Sequence, residues 1–138
     1  MSRKVFVDTG AFLALMNEAD QYHLEAKDCF RDLQSPGIQL ITSNFVLDET
    51  YTRILRKGGA KVAIAFGEKI QTSRQLKIVT MERSLEKKGW EIFKKYSDHL
   101  FSYTDCTSFA LMREEKIPEA FAFDKDFKIM GFVLLPHR

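Results

Sequence analysis

Short runs of β-branched and aromatic residues recur along this chain, each followed by a stretch whose apolar residues have helical spacing. No other feature restricts the fold as much, because alternating strand and helix signals demand parallel strands joined by helical crossovers. The first run, Lys4-Val5-Phe6-Val7, ends on Asp8, and Thr9 is placed to cap a helix through Ala11–Met16. Tyr22, Ala26, Cys29, Phe30 and Leu33 make a helical stripe that Ser35-Pro36-Gly37 stops, and Ile38–Thr42 reads as a second strand. With Ser43 and Asn44 as capping candidates, the next helix runs to about Arg56; Gly58-Gly59 breaks it before another over Ala60–Ser73. Leu76–Val79 is a third strand, Arg83–Tyr96 a helix bearing Leu85, Trp90 and Phe93, and Thr104 can cap a helix over Asp105–Glu114. Ala120–Phe123 and Phe132–Leu135 supply two last strands. The expectation is an α/β fold: a three-layer α/β/α arrangement around a central, parallel, five-stranded sheet, with residues 1–138 forming one domain.

Composition narrows the function. No segment approaches the roughly 20 apolar residues that span a bilayer, and the N-terminus lacks the pattern of a signal peptide, so a soluble, cytoplasmic protein is expected. Cys29 and Cys106 do not form a CxxC pair, and His23, His99 and His137 are scattered, which argues against zinc and for buried cysteines without chemistry. The formal net charge is +2, and setting aside four carboxylates for a common pocket leaves +6 on the remainder. Much of that excess lies between Arg53 and Lys95, where it offers either a solvated helical surface or a cationic surround for a phosphate backbone.

Four acids fall where structural duty explains them least. Asp8 and Asp124 end predicted strands, and the carboxyl ends of strands line the ligand crevice of an open α/β sheet. Glu49 lies four residues after Phe45 and three after Val46, on the stripe expected to face the sheet; Asp105 stands four before Phe109 on its own helix. Singly, each has an ordinary explanation: a turn or capping aspartate, a first-turn acid on the helix dipole, an ion pair from Glu49 to Arg53. Jointly, they deliver four carboxylates to one rim. Two charges about 4 Å apart repel by about 4 kcal/mol even at an effective dielectric near 20, and a divalent cation relieves that. Oxygen-only ligation selects Mg²⁺ or Mn²⁺, which suits phosphodiester hydrolysis. A phosphatase of the haloacid-dehalogenase type needs a DxD arrangement, whereas this chain has Asp8-Thr9-Gly10.

The segments VDTGAFLAL (7–15), SNFVLDET (43–50), YTDCTSFALM (103–112) and FAFDKDFKIMGF (121–132) resemble, in order and spacing, the four signature blocks of PIN domains. The resemblance covers essentially the whole chain. It implies a Mg²⁺- or Mn²⁺-dependent endoribonuclease whose catalytic and metal-holding acids are Asp8, Glu49, Asp105 and Asp124, with Thr9 as a hydroxyl neighbour of the metal. The fourth block reads Ala122-Phe123-Asp124 where many members place a threonine two residues before the acid, which leaves Asp124 and Asp126 both open as the fourth acid. Asp48 and Asp126 otherwise read as solvent-side neighbours. Small stand-alone chains of this kind are similar to VapC-type toxins, which implies an RNA substrate, a small antitoxin protein as partner and a homodimer; Ala63, Phe66, Gly67 and Ile70 are residues a dimer seam could use. A housekeeping RNA-processing nuclease and a non-catalytic RNA- or protein-binding module are the alternatives.

Overall fold

The computed structural model describes residues 3–137. Strands β1 (Arg3–Val7), β2 (Ile38–Ser43), β3 (Leu76–Val79), β4 (Glu119–Phe121) and β5 (Val133–Leu135) form one sheet in the order β3-β2-β1-β4-β5. All four pairings are parallel, with Val5 opposite both Leu40 and Glu119 and with Leu40 opposite Leu76. The expected parallel five-stranded sheet is therefore present.

Helices α1 (Thr9–Met16), α2 (His23–Asp32), α3 (Asn44–Gly58) and α4 (Ala60–Gln71) lie on the path from β1 through β2 to β3. Helices α5 (Arg83–Lys95) and α6 (Tyr103–Glu114) and the short α7 (Asp126–Ile129) follow, as the chain crosses to the other half of the sheet. Right-handed crossovers put α1–α4 on one face and α5–α7 on the other. The packing agrees: Phe12 of α1 meets Phe66 of α4 edge to face at 5.5 Å, while Phe6 of β1 meets Phe127 of α7 at 6.3 Å and Phe127 meets Phe109 of α6 at 5.0 Å. Phe6, Phe109, Phe121 and Phe127 are fully buried, and Cys29 and Cys106 are buried free thiols. No helix among the described residues is long and apolar enough to cross a membrane.

Several boundaries move for local reasons. Helix α6 begins at Tyr103 because Ser102, not Thr104, is the cap: its Oγ accepts from the Asp105 amide at 3.0 Å, while the Thr104 carbonyl takes bonds from Thr107 and Ser108. Thr9 is the first helical residue of α1 rather than its cap, a place taken by Asp8. Ser43 does cap α3, accepting from the Val46 amide at 3.1 Å, and Asn44 instead takes the Met81 amide at 2.7 Å. Strand β4 closes at Phe121, two residues before the expected end, and β5 opens one residue later than expected.

Candidate active site

In a sheet of order β3-β2-β1-β4-β5 the direction of winding reverses between β1 and β4, and the crevice beyond the carboxyl ends of those strands is where ligands bind. Asp8 occupies it. Its amide donates to the Phe121 carbonyl at 3.1 Å, extending the β1–β4 pairing, and its carbonyl accepts from Ala11 and Phe12 to start α1. The residue is 6% exposed, and its side chain makes no capping hydrogen bond. Burial raises the Asp8 carboxyl to about 7, the Glu49 and Asp124 charges push the same way, and the nearby amides of Thr9 and Gly10 offset part of the rise.

The other acids converge from three directions. Asp105 sits in the first turn of α6 and is only partly exposed. Its carboxyl is raised by burial first and then by the charges of Asp8, Asp124, Glu49 and Asp126. Asp124 lies three residues beyond β4, and its Oδ1 accepts the Asp126 amide at 2.9 Å, so the turn into α7 folds Asp126 back beside it. Burial raises Asp126 too, with the Asp124 charge and a hydrogen bond to Asp124 adding to it, against partial relief from Lys125 and His99. Asp105, Asp124 and Asp126 each offer a carboxylate oxygen, all within 4.8 Å of one another. Asp126 is thus part of the cluster, in keeping with its place as an alternative fourth acid and not with its reading as a solvent-side neighbour.

Glu49 also differs from expectation. The buried stripe of α3 is Val46, Leu47, Thr50 and Ile54, which leaves Glu49 on its border with a half-exposed side chain. Its Oε2 lies 3.8 Å from Arg53 Nη1, and its Oε1 lies 3.3 Å from Thr9 Oγ1. The Thr9 hydroxyl has one proton and two acceptors in reach, Glu49 and the Val46 carbonyl at 3.3 Å. Thr50 Oγ1 already donates to that carbonyl at 2.7 Å and lies 3.2 Å from Thr9 Oγ1, so the proton of Thr9 is best used on Glu49. The Thr9 hydroxyl is thus tied to Glu49, one of the acids expected at the site. Ser102, whose hydroxyl takes the Asp105 amide, carries no mark in the sequence, because a Ser before YTDC is too common to point to a site.

The donor set fits a hard divalent cation. The closest group is made of carboxylates alone, and burial, reinforced by the neighbouring carboxylate charges, raises Asp8, Asp105 and Asp126 together.

A model of the PIN domain matches residues 5–133. The chain belongs to the PIN-domain family. Among curated relatives of this PIN domain is the 23S rRNA-specific endonuclease VapC20 of Mycobacterium tuberculosis, 37% identical over 129 residues that cover 94% of this chain and 95% of the relative; it matches equally in two strains. The crystal structure of that VapC20, described as a sarcin–ricin loop cleaving toxin, superposes with a TM-score of 0.86 at 36% identity, covering 94% of this chain and 96% of the other. VapBC2 of Rickettsia felis, bound to a DNA fragment from its promoter, superposes with a TM-score of 0.73 over 95% of this chain and 96% of the other; at 11% identity this shows the fold alone.

Proposed function

We propose that this PIN domain is a divalent-metal-dependent endoribonuclease of the VapC type, the toxin of a toxin–antitoxin pair. It uses Mg²⁺ or Mn²⁺, acts as a homodimer and is neutralised by a small antitoxin protein. Its substrate is structured RNA presenting an unpaired loop, and the sarcin–ricin loop of 23S rRNA is the first candidate because the 37%-identical relative is named for 23S rRNA. One observation carries this reading: Asp105, Asp124 and Asp126 offer oxygens within 4.8 Å of one another, beside a buried Asp8, at the switch point of a PIN fold.

Asp8, Asp105 and Asp124 are the residues that would hold the cation, with Asp126 completing the group and Glu49 reaching it from α3. When bound, the ion supplies Lewis acidity at the phosphodiester and lowers the pKa of an attacking water. The protein's own part is positioning. Ser102 fixes the first turn of α6 and so the place of Asp105, Thr9 and Arg53 hold the two oxygens of Glu49, and the Asp126 amide orients Asp124. Burial of Asp8 keeps bulk water from its carboxylate, which strengthens its pull on any cation there.

The purified chain, mixed with a hairpin RNA carrying the sarcin–ricin loop and with Mg²⁺ or Mn²⁺, should cut within the loop. Asp8→Asn and Asp105→Asn should each lower the rate by at least about a hundredfold, as expected for loss of a group that stabilises the transition state. EDTA should abolish cleavage. Undiminished cutting by Asp105→Asn, or in EDTA, contradicts the reading.

A further inference from the structure

A run of aromatic rings crosses from the exposed side of α5 to α6 and α3, the two helices that carry Asp105 and Glu49. Trp90 is 48% and Phe93 37% exposed, while the opposite side of α5, with Leu85, Gly89 and Ile92, is buried. The two rings stack with centroids 5.5 Å apart and planes 26° from parallel. Tyr103 meets both edge to face, at 6.3 and 5.8 Å, and Phe45 continues the run at 6.4 Å. Tyr103 stands two residues before Asp105, and Phe45 stands four before Glu49. The rings therefore lead from the open side of α5 to within one helical turn of an acid on α6 and on α3. At helical spacing Arg83, Lys87 and Lys94 share the side of α5 that carries Trp90, with Glu86 as the acid among them; all three cations are exposed, and Lys94 also bridges Glu91 at 3.4 Å.

We propose that Trp90, backed by Phe93, is a stacking platform for an unpaired base of the RNA substrate, next to the phosphodiester that is cut. The proposal rests on the nuclease reading above and adds where the substrate is gripped. A cluster of carboxylates repels a polyanion, so the grip on RNA must lie beyond the acids. An exposed indole with a second ring packed against it offers a flat apolar surface to any base, and the neighbouring cations can take the flanking phosphates. Bases available for such stacking are those splayed from loops, the part of a structured RNA that proteins read. A protein partner also favours exposed aromatics, but the cationic rim and the continuity with the acids favour RNA.

Trp90 is the chain's single tryptophan, so its fluorescence reports this patch alone. Full-length Asp105→Asn protein in Mg²⁺ is titrated with a hairpin RNA carrying the sarcin–ricin loop, and with the same hairpin bearing an abasic site at each loop position in turn. The intact hairpin should quench Trp90 emission, and one abasic position should relieve the quenching. In the active protein, Trp90→Ala should raise KM on the order of tenfold, with a much smaller change in kcat, and Trp90→Phe should recover most of it. Binding of labelled hairpin, seen by anisotropy, with Trp90 emission unchanged overturns the platform, whether or not Trp90→Ala folds. So does a Trp90→Ala protein of wild-type KM that escapes a protein inhibitor, a result that would assign the patch to protein docking. Absence of cleavage by the wild-type chain overturns the nuclease reading itself, a different outcome from cleavage without a Trp90 response.

Discussion

A carboxylate removed from water, as Asp8 is, favours being protonated, paired or held to a cation, because its charged form loses hydration that the amides of Thr9 and Gly10 replace only in part. In metal-free protein, burial holds the Asp8 carboxyl at about 7, against 3.8 for an unperturbed aspartate. Between those values the folded state binds more protons than the unfolded chain. Stability is therefore fully present below the unfolded value and is lost as pH rises through the folded one, by on the order of a few kcal/mol for a group so displaced. Thermal melts in EDTA should show Tm falling from pH 5 to pH 8. Asp8→Asn should flatten that fall and leave the metal-free protein more stable than wild type at pH 8. Mg²⁺ or Mn²⁺ should restore the wild type at pH 8 and do little at pH 5, where the ion competes with protons. A metal-free Tm that climbs across this range would show that Asp8 is not held as described. The same residue illustrates what a sequence conceals: VDT places an acid at a strand end, but whether its side chain caps the helix or turns to the other acids depends on the crevice around it.

Among the elements, α5 and α6 pack closely because α5 carries Gly89. A Cβ added there would lie 3.0 Å from both Cα and Cγ2 of Thr107 and 3.3 Å from its amide nitrogen, and the backbone of a buried helix cannot yield like the end of a flexible side chain. Gly89→Ala gains about 1 kcal/mol of helix propensity but overpacks this contact, at a typical penalty of about 1–3 kcal/mol. The expected net result is a Tm lower by a few degrees. Because Thr107 follows Asp105 by two residues, a larger fractional loss of RNA cleavage than of stability should accompany it. Unchanged melting and activity would mean that the helices separate freely. This contact also explains a limit of the sequence reading. Leu85, Trp90 and Phe93 stood out as the apolar residues of α5, yet only Leu85 is buried, because the small Gly89 sets which side meets α6. Elsewhere periodicity sufficed: the helices over 9–16, 23–32, 44–58 and 60–71 are long enough for their stripes and breakers to be read. The short α7 carries no period, so the sequence could leave Asp124 and Asp126 open as the fourth acid but could not show that both join Asp105.

For the whole molecule, the layered fold and the nearness of Asp8 to Asp124 were legible together, since strand ends in a parallel sheet share one rim whatever the loops do; Asp105 joins them from the first turn of α6, which its helical spacing to Phe109 could only suggest. Assembly was not legible to the same degree. Phe66, read as a residue a dimer seam could use, is buried in this chain's own core, where it packs on Phe12 and Tyr51, whereas Ala63 and Gly67 line the outer side of α4. What α3 and α4 present outward is a shallow apolar groove that includes Leu55, Ala63 and Ile64; Leu55 is 48% and Ile64 60% exposed. An apolar patch of this kind on a small domain is usually covered in use, and two copies meeting about a twofold axis would each bury the other's groove. Light scattering after gel filtration at micromolar concentration should then give twice the 16.0 kDa chain mass. Ile64→Glu should return the mass to a single chain by placing two facing carboxylates in an apolar seam. Its melting temperature, measured at a concentration where both proteins are monomeric, should match wild type, because Ile64 lies outside the core. A wild-type chain that stays monomeric throughout that range would remove the dimer from the proposed function and leave the groove for another partner, such as the antitoxin.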